Sequence, residues 1–331
     1  MQSYNKILII QTAFIGDVIL ATPLIETLRH NFPNAELHFC LRKGNESLLN
    51  QHPYLKNVLI WDKQKNKFKN LLGLLKIIRS EKYDLVVNVQ RFLSSGILAG
   101  FSGAKQISGF DKNPLSFLFT HKTKHEIGNN LHETERNVDL IKPFCNHLIT
   151  QPKLHINHIS NNKINAFCAE EFICIAPASV WFTKQFPVKQ WGEFLHSIPD
   201  EKVYILGATS DQKIASDIIC ESVHPNTISL CGQLNLLESA ALMLKAKMNF
   251  VNDSAPMHLA SSVNAPVTAI FCSTIPEFGF GPLSDNSKIV QVQEKLACRP
   301  CGLHGKKSCP ENHFSCAKNI TIQQLIQCIP N

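Results

Sequence analysis

The sequence lacks several patterns that would each assign the chain to a broad class. No apolar run is long enough to span a bilayer, and no basic stretch is interleaved with aromatic residues as in proteins that bind nucleic-acid strands. Residues 1–12 lack a charged segment followed by a long apolar one, so we expect no signal peptide. No GxGxxG follows the first strand, which excludes that dinucleotide fingerprint. No Asp-x-Asp motif lies at a plausible strand end, which argues against a diphosphate held by a metal ion.

The composition is that of a globular chain with room for two domains. The 331 residues are 44% hydrophobic and 18% charged, with a net charge of +7. This moderate positive charge suits an anionic substrate or an anionic membrane surface. The twelve cysteines are expected to be mostly reduced, as in a cytoplasmic protein, and eight of them are expected to be small core residues because they stand singly in apolar segments.

Strand-like and helix-like runs alternate almost from end to end, which predicts an α/β fold with doubly wound parallel sheets. The strands are continuous apolar runs, as expected when helices cover both faces of a sheet. In the first half, the predicted strands are 6–12, 35–42, 58–62, 84–90 and a short one near 107, and the predicted helices are 18–32, 46–52, 67–82, 92–104 and 132–144. In the second half, the predicted strands are 171–177, 202–207, 227–231, 248–252 and 266–272, and the predicted helices are 188–198, 211–222, 236–247 and a last one that reaches about 263.

The pattern restarts in the second half, which predicts two similar domains in tandem at residues 1–155 and 165–331. Residues from about 145 to 170 are polar with little periodicity and are interpreted as the connection between them. Residues 110–130 also break the rhythm and are predicted to be irregular. Ligands of such sheets bind at the carboxyl ends of the strands, and two such edges can face each other across a cleft.

The stretch from 252 to 260, Asn-Asp-Ser-Ala-Pro-Met-His-Leu-Ala, follows a strand and opens a helix. Asp253 or Ser254 can cap that helix, and Pro256 suits its first turn. A strand that leads into a helix start aims backbone N–H groups at one point, which is an anion site that His258 can reach. Taken alone, the stretch is typical of an ordinary strand–helix corner.

Three other loops follow predicted strands. After the first strand, Gly16 permits close backbone approach, and Asp17 is either a helix cap or a carboxylate that takes a proton from an acceptor hydroxyl. In the loop at 176–187, Lys184 is either a surface lysine or a cation suited to phosphate. The same loop carries the hydroxyls of Ser179 and Thr183, which are candidate ligands of a donor. The third loop, 207–211, carries Asp211, which is either a helix cap or a carboxylate that binds ribose.

These motifs resemble those of the lipopolysaccharide heptosyltransferases, glycosyltransferase family 9, with a II-like pattern. The similarity spans nearly the whole chain. The residues that carry it are Lys6-Ile7-Leu8-Ile9, Gly16-Asp17-Val18, Thr22-Pro23, Val89-Gln90, Phe101-Ser102-Gly103-Ala104-Lys105, Lys184, Pro187, Trp191, the stretch from Asn252 to Leu259 and Cys298-Arg299-Pro300-Cys301.

The resemblance implies a GT-B fold and an inverting transfer of L-glycero-D-manno-heptose from ADP-heptose to the inner core of lipid A–linked oligosaccharide. It implies no cofactor and no catalytic metal. In this resemblance Asp17 matches the general base and Lys184 the lysine that steadies the leaving diphosphate. Asp211 falls near the position that holds the adenosine ribose. The diphosphate-binding helix start is matched by Asp253, Ser254, Ala255 and His258.

The chain departs from the family pattern at two positions. Ala255 stands where the family often has glycine, which changes how closely the backbone approaches phosphate. Arg91 stands where a small residue is common after Gln90, and both are candidates for the acceptor side, where an arginine can contact an anion.

Four cysteines near the C-terminus form a separate pattern. Cys298, Cys301, Cys309 and Cys316 either bind a metal, with His304 and His313 as further candidates, or are reduced structural thiols. Any metal there is expected to be structural, because the segment lies off the transfer motifs.

A lysine-rich stretch precedes the predicted helix 67–82. Lys63, Lys65, Lys67 and Lys69 are either a solvated edge or, with the apolar residues that follow, a surface that rests on anionic lipid. The first interpretation places the helix on the sheet through Phe68, Leu71, Leu72, Leu75 and Ile78. The second places the protein at the inner face of a Gram-negative inner membrane.

Three other functions are compatible with these motifs. They are transfer with another donor or acceptor, a sugar-nucleotide epimerase or hydrolase of the same fold, and a degenerate scaffold. The presence together of Asp17, Lys184 and His258 argues against the degenerate scaffold.

Overall fold

The computed structural model describes residues 3–156 and 158–330. They divide into two units, Met1–His155 and Ile156–Asn331, and each is built on a six-stranded parallel sheet with flanking helices. The α/β prediction with parallel sheets is therefore confirmed.

The first sheet has the strand order β3-β2-β1-β4-β5-β6. Its central strand β1 lies between β2 and β4 and is buried along four of its five residues, because helices cover both faces. The strands are β1 (Lys6–Ile10), β2 (Glu36–Arg42), β3 (Leu55–Trp61), β4 (Leu85–Asn88), β5 (Gln106–Phe110) and β6 (His121–Thr123). The helices are α1 (Ile15–Leu20), α2 (Thr22–Asn31), α3 (Lys67–Glu81), α4 (Leu93–Gly100) and α5 (Glu133–Asp139).

The second sheet has the corresponding order β12-β11-β10-β7-β8-β9. Its core is formed by aromatic and aliphatic side chains of the strands and of α7, including Trp191 and Phe194. The strands are β7 (Ile173–Ala176), β8 (Val203–Ile205), β9 (Thr227–Ser229), β10 (Met248–Asn252), β11 (Val267–Phe271) and β12 (Ser287–Gln291). The helices are α6 (His158–Ile164), α7 (Val188–His196), α8 (Gln212–Ser222), α9 (Leu236–Lys245), α10 (Ala255–Ser262), α11 (Ser315–Lys318) and α12 (Ile322–Ile326).

Two predicted helices of the first unit do not form as single α-helices, and those predicted at 92–104 and 132–144 end earlier, at Gly100 and Asp139. Residues 46–52 form only a 3-10 turn, Glu46–Leu48, because Pro53 disfavours a helical conformation at the preceding residue. The helix predicted at 18–32 is two helices, since Pro23 has no N–H to continue the first one. The Thr22 hydroxyl donates to the Ile19 carbonyl at 2.7 Å and replaces the missing bond.

Other differences lie in polar segments. The stretch 110–130 contains β6, which pairs with β5, and β12 was not predicted. The predicted connection at 145–170 contains α6, which packs against α9 of the second unit, and residue 157 of that stretch lies outside the described residues. Of the eight single cysteines, Cys220 on α8 is exposed and Cys168 is half-buried, whereas the others are buried as predicted. None of the helices in the described part of the chain is both long enough and apolar enough to cross a bilayer.

Candidate active site

Asp17 lies just beyond the carboxyl end of β1, at the third position of α1. Its Oδ2 accepts the backbone N–H of Phe14 at 3.0 Å, and Phe14 is the extended residue that precedes the helix. Asp17 therefore satisfies one of the unpaired amides of the α1 start from within the helix, and it is not the N-cap residue itself.

The surroundings of Asp17 favour its protonated form more than water does. The pKa of Asp17 is raised from 3.8 to about 6. Burial is the largest cause and the charge of Glu133 acts in the same direction, whereas the N–H of Phe14 and the charge of Arg91 act against them. The side chain is partly exposed although protein atoms surround it closely, so it can exchange a proton with a ligand. A carboxylate with this pKa is mostly ionised at neutral pH and is suited to general-base catalysis.

Arg91, the cation near Asp17, belongs to a polar network. Its Nη1 lies 3.4 Å from Nδ1 of His125, whose Nε2 lies 3.7 Å from Oε2 of Glu133. Arg136 Nε donates to the same carboxylate at 2.7 Å. Burial alone would raise the pKa of Glu133, but His125 and Arg136 together hold it below its usual value. The sequence prediction missed His125 and Glu133, because neither belongs to a recognisable strand-end motif.

Two further side chains hold Thr12, which lies just after β1. Gln90 is buried, and its Oε1 accepts the hydroxyl of Thr12 at 2.7 Å. Lys63 Nζ donates to the Thr12 carbonyl at 2.6 Å. Burial, followed by the charge of Arg42, lowers the pKa of Lys63 to about 8. The interpretation of Lys63 as part of a solvated lysine edge is therefore wrong, because it is half-buried at the sheet edge.

In the second unit, Lys184 ends a 3-10 turn, Phe182–Lys184, in the loop after β7. Its Nζ lies 2.7 Å from Oδ2 of Asp253, and both side chains are largely buried. The Thr274 hydroxyl donates to the same oxygen at 2.6 Å. The Asp253 carboxylate is thus engaged with two protein groups, and it fixes the position of the ammonium group of Lys184.

The start of α10 leaves its first turn without a side-chain cap. Ser254 is the extended N-cap residue, but its hydroxyl donates to the carbonyls of Ala178 and Asn252, both at 3.4 Å. Ala255 is the first helical residue, and His258 lies on the same first turn with 6% of its surface exposed. The Ser254 side chain thus makes no cap hydrogen bond to α10, and an uncapped helix start is the arrangement found at anion-binding sites.

Asn252, at the end of β10, ties this helix start to the loop that carries Lys184. Its Nδ2 donates to the Pro177 carbonyl at 2.6 Å, and its Oδ1 accepts the N–H of Phe186 at 3.0 Å. The side chain is fully buried. Asn252 was not predicted to have a role of its own, since an asparagine at a strand end is typical of many turns.

Asp211 and Ser179 make local contacts. Asp211 ends the 3-10 turn before α8 and holds the N-cap position of α8, but its side chain makes no cap hydrogen bond to that helix. Its Oδ2 instead accepts the N–H of Ala208, at the start of the 3-10 turn, at 2.8 Å. The Ser210 hydroxyl donates to its other oxygen at 3.2 Å. Ser179 is half-buried, and its carbonyl accepts the Gln185 amide at 2.6 Å. A ribose or phosphate contact of these two residues stays a prediction.

The segment 298–316, here called the cysteine loop, contacts the turn that carries Lys184. Thr183 donates its N–H to the Lys306 carbonyl at 3.1 Å, and its hydroxyl accepts the Lys306 N–H at 2.8 Å. The Ser273 hydroxyl also donates to this Thr183 oxygen, at 2.9 Å, while the Ser273 carbonyl accepts the N–H of Cys301 at 2.8 Å. The expectation that this segment lies off the transfer motifs is therefore wrong.

The thiols of the cysteine loop line one groove together with His313, and Cys298 Sγ lies 3.9 Å from His313 Nε2. Within the described part of the chain, no three ligand atoms of this loop lie within 4.8 Å of one another. All four cysteines are free thiols. Whether these cysteines bind a metal or stay reduced thiols is not decided by this geometry, and a metal site there stays a prediction.

Comparison with known proteins agrees with this arrangement. The model of the family "Glycosyltransferase family 9 (heptosyltransferase)" matches residues 71–312, well over half of the chain. The chain is 27% identical over 293 residues to lipopolysaccharide heptosyltransferase 3 of Escherichia coli, which covers 82% of this chain and 85% of that protein.

Two solved structures have the same fold. A glycosyl transferase family 9 protein from Veillonella parvula superposes with a TM-score of 0.86 at 19% identity, over 99% of this chain and 97% of the other. The E. coli ADP-heptose lps heptosyltransferase II superposes with a TM-score of 0.79 at 18% identity, over 98% and 97%. The two parallel-sheet units therefore form a GT-B fold. From the match to the family model, the chain belongs to glycosyltransferase family 9, the heptosyltransferase family, and is a glycosyltransferase.

Proposed function

We propose that the chain transfers L-glycero-D-manno-heptose from ADP-heptose to the inner core of lipopolysaccharide, with inversion at the anomeric carbon. The observation that carries the proposal is Asp17, a carboxylate at the end of β1 with a pKa raised to about 6. The family supports the heptosyl group, and a structural neighbour is named for ADP-heptose.

In the proposed reaction, an acceptor hydroxyl oxygen attacks the anomeric carbon of heptose while the bond from that carbon to the β-phosphate oxygen breaks. The hydroxyl proton passes to Asp17, and ADP leaves with the bonding electron pair. A single displacement inverts the anomeric configuration. A base with a pKa close to neutral pH is ionised before the step and still holds the proton after it.

On the donor side, Lys184 stabilises the charge that develops on the leaving diphosphate, together with the uncapped start of α10. We assign Asp253 to positioning Lys184, because a buried carboxylate in contact with phosphate would be repelled by it. The other residues proposed to line the donor site are Ser179, Thr183, Asp211, Ser254, Ala255 and His258.

On the acceptor side, we propose that Arg91 contacts an anionic group of the acceptor. The positive charge of its guanidinium lowers the pKa of Asp17. The guanidinium also lies beside His125, which restrains its position. Gln90 is buried and bonded to Thr12, so we assign it to shaping the wall of this site.

We further propose that the protein works at the inner face of the inner membrane, in peripheral contact with lipid. Leu71 and Ile78 of α3 are buried, as packing on the sheet requires. Phe68 and Leu72 point outwards with 75% and 63% of their surfaces exposed, and Lys69 beside them is exposed as well. Exposed apolar side chains beside lysines suit an anionic lipid surface.

The test is an assay of the full chain with ADP-heptose and defined truncated core acceptors, read by mass spectrometry and by NMR of the new glycosidic bond. We expect a heptosylated product of inverted configuration. Activity should fall as the pH drops below about 6, because Asp17 is then protonated. Release of free heptose without transfer would indicate a hydrolase, and transfer only from another sugar nucleotide would reject the donor.

Variants separate the proposed roles. Asp17→Asn should lose about 10²–10⁴-fold in turnover and keep ADP affinity, because it removes the base and preserves the shape of the side chain. Lys184→Ala should weaken both ADP binding and turnover. Since that change leaves Asp253 buried and unpaired, the double variant Lys184→Ala with Asp253→Asn is the folded control. Normal turnover in Asp17→Asn would reject the base assignment.

A further inference from the structure

Three potential metal ligands from distant parts of the first unit meet away from the transfer motifs. Glu26 lies on α2, His52 precedes β3, and His155 lies at the end of the unit. Glu26 and His52 are buried, and His155 keeps 21% of its side chain exposed. The ligand atoms of the three side chains all lie within 4.8 Å of one another, so they form a cluster of potential metal ligands among the described residues.

The spacing of the ligand atoms fits one small ion. Oε1 of Glu26 lies 2.9 Å from Nε2 of His155 and 3.6 Å from Nε2 of His52. The two imidazole rings are nearly perpendicular, with their centroids 4.5 Å apart. A tetrahedral ion with bonds of about 2.0–2.1 Å holds its ligand atoms about 3.3–3.4 Å apart, which is between these two distances.

His52 carries an unsatisfied buried nitrogen at this place. Among the residues that the structure describes, none forms a hydrogen bond with its Nε2, although only 1% of the side chain is exposed. A buried imidazole nitrogen without a hydrogen-bond partner, facing a carboxylate and a second imidazole, is placed to bind a metal ion.

We propose that Glu26, His52 and His155 form a structural site for one divalent transition ion, with Zn²⁺ as the simplest occupant. Two imidazoles and a carboxylate are ligands that suit Zn²⁺, and the exposed side of His155 leaves room for a water molecule as the fourth ligand. The bound ion links α2, the segment before β3 and the end of the first unit. This site lies outside the residues proposed for transfer and does not depend on that function.

Binding has two costs, and both predict a modest affinity. The amide of Tyr54 donates to Nδ1 of His52 at 3.3 Å, so an ion at Nε2 requires the other tautomer and the loss of this long bond. Lys153 Nζ lies 4.0 Å from Oε2 of Glu26 and repels a cation, but its side chain is 53% exposed and can turn into solvent. Removal of this charge by Lys153→Gln should therefore tighten metal binding severalfold.

The experiment uses the full chain, stripped with a chelator and titrated with Zn²⁺ and with Co²⁺ as a spectroscopic probe. We expect one bound equivalent of modest affinity, a visible Co²⁺ spectrum without the sulfur charge-transfer band of a thiolate site, and a higher Tm with the ion. His155→Ala should weaken binding more than about 100-fold, since it removes a ligand and not only a neighbour of one.

The matched control is His30→Ala. The rings of His30 and His147 lie 4.3 Å apart on the exposed surface of the same unit, where a divalent ion can bind adventitiously. Binding should survive His30→Ala and be lost in Glu26→Gln. If the wild-type chain shows no visible Co²⁺ spectrum, or if His155→Ala binds as the wild type does, the site is rejected, and the first result needs no variant to fold.

Discussion

Asp17 makes a stabilising contact, but its buried charge lowers the stability of the folded chain. Its carboxylate accepts the N–H of Phe14, which stabilises the start of α1, yet burial makes the charged form costly. An asparagine keeps the acceptor oxygen and removes the charge. The proposed base is therefore a position where activity and stability oppose each other.

We expect Asp17→Asn to be more stable than the wild type at neutral pH. Because the pKa of Asp17 is raised in the folded state, the folded chain binds more protons than the unfolded chain between pH 3.8 and about 6, so the wild type loses stability as pH rises through this window. The variant does not, and above about pH 6 it should be more stable by roughly 1–2 kcal/mol, allowing for partial exposure of the side chain.

Urea unfolding of both proteins at about pH 4 and about pH 7 measures this difference. The gain should be nearly absent at the lower pH. Asp217→Asn, on the exposed face of α8, is the control and should change stability little, because its i,i+4 pair with Lys213 is a surface ion pair. An equal gain for Asp17→Asn at both pH values would contradict the assignment.

At the scale of elements, the cysteine loop supports the turn that carries Lys184. Gly305 of this loop has a φ of +76°, and a Cβ there would lie 3.0 Å from Cγ of Lys184 and 3.1 Å from Oγ1 of Thr183. The two hydrogen bonds between Thr183 and Lys306, one of them to the Thr183 hydroxyl, prevent the loop from moving away easily. The loop thus acts on Lys184 through packing.

Gly305→Ala should lower kcat/KM for the nucleotide-sugar donor about tenfold, because the added methyl group displaces Lys184 from Asp253. Steady-state kinetics with varied donor concentration, and thermal unfolding of the same preparations, provide the measurement. The effect should exceed what the loss of stability explains.

Gly302→Ala is the matched control for this prediction. Gly302 lies in the same loop with a φ of +90°, so an alanine there has a similar backbone penalty, but its Cβ would have no neighbour within 4 Å. We expect Gly302→Ala to lose stability and keep its donor kinetics. Equal kinetic losses in both variants would show that loop strain, and not contact with Lys184, is the cause.

At the scale of the whole molecule, the alternation of apolar runs was sufficient to predict the two parallel sheets, because buried strands are recognisable one at a time. Asp17, Lys184 and the start of α10 were correctly predicted to follow strands, because each comes after an apolar run that is recognisable by itself. Short polar strands such as β6 were missed, since three residues, two of them charged or titratable, carry no apolar pattern.

Contacts between distant residues could not be predicted from local patterns. Glu26 and His155 are separated by 129 positions, and Thr183 and Lys306 by 123. His125 beside Arg91 belongs to a stretch predicted to be irregular. In each case the partners are ordinary residues locally, and only the packing of the sheet and its loops brings them together.

The exposed apolar surface of α3 leads to a prediction for the molecule at a lipid surface. We expect the full chain to float with vesicles that contain an anionic phospholipid and to bind weakly to neutral ones. Each lysine near an anionic surface contributes about 1 kcal/mol, and this attraction falls with salt. Phe68 and Leu72 add the apolar contribution, so the double change Phe68→Ser and Leu72→Ser should reduce flotation at every salt concentration without affecting Tm, because both side chains are exposed.

Val223→Asn is the control for general surface hydrophobicity. Val223 is the exposed end of α8 in the second unit, with 83% of its surface accessible, and its replacement should leave flotation unchanged. If the double variant floats as well as the wild type, α3 is not the lipid-contacting surface. If the wild type fails to float even at low salt, the lysines do not attract it to the anionic surface. The protein then reaches its acceptor without peripheral binding through α3.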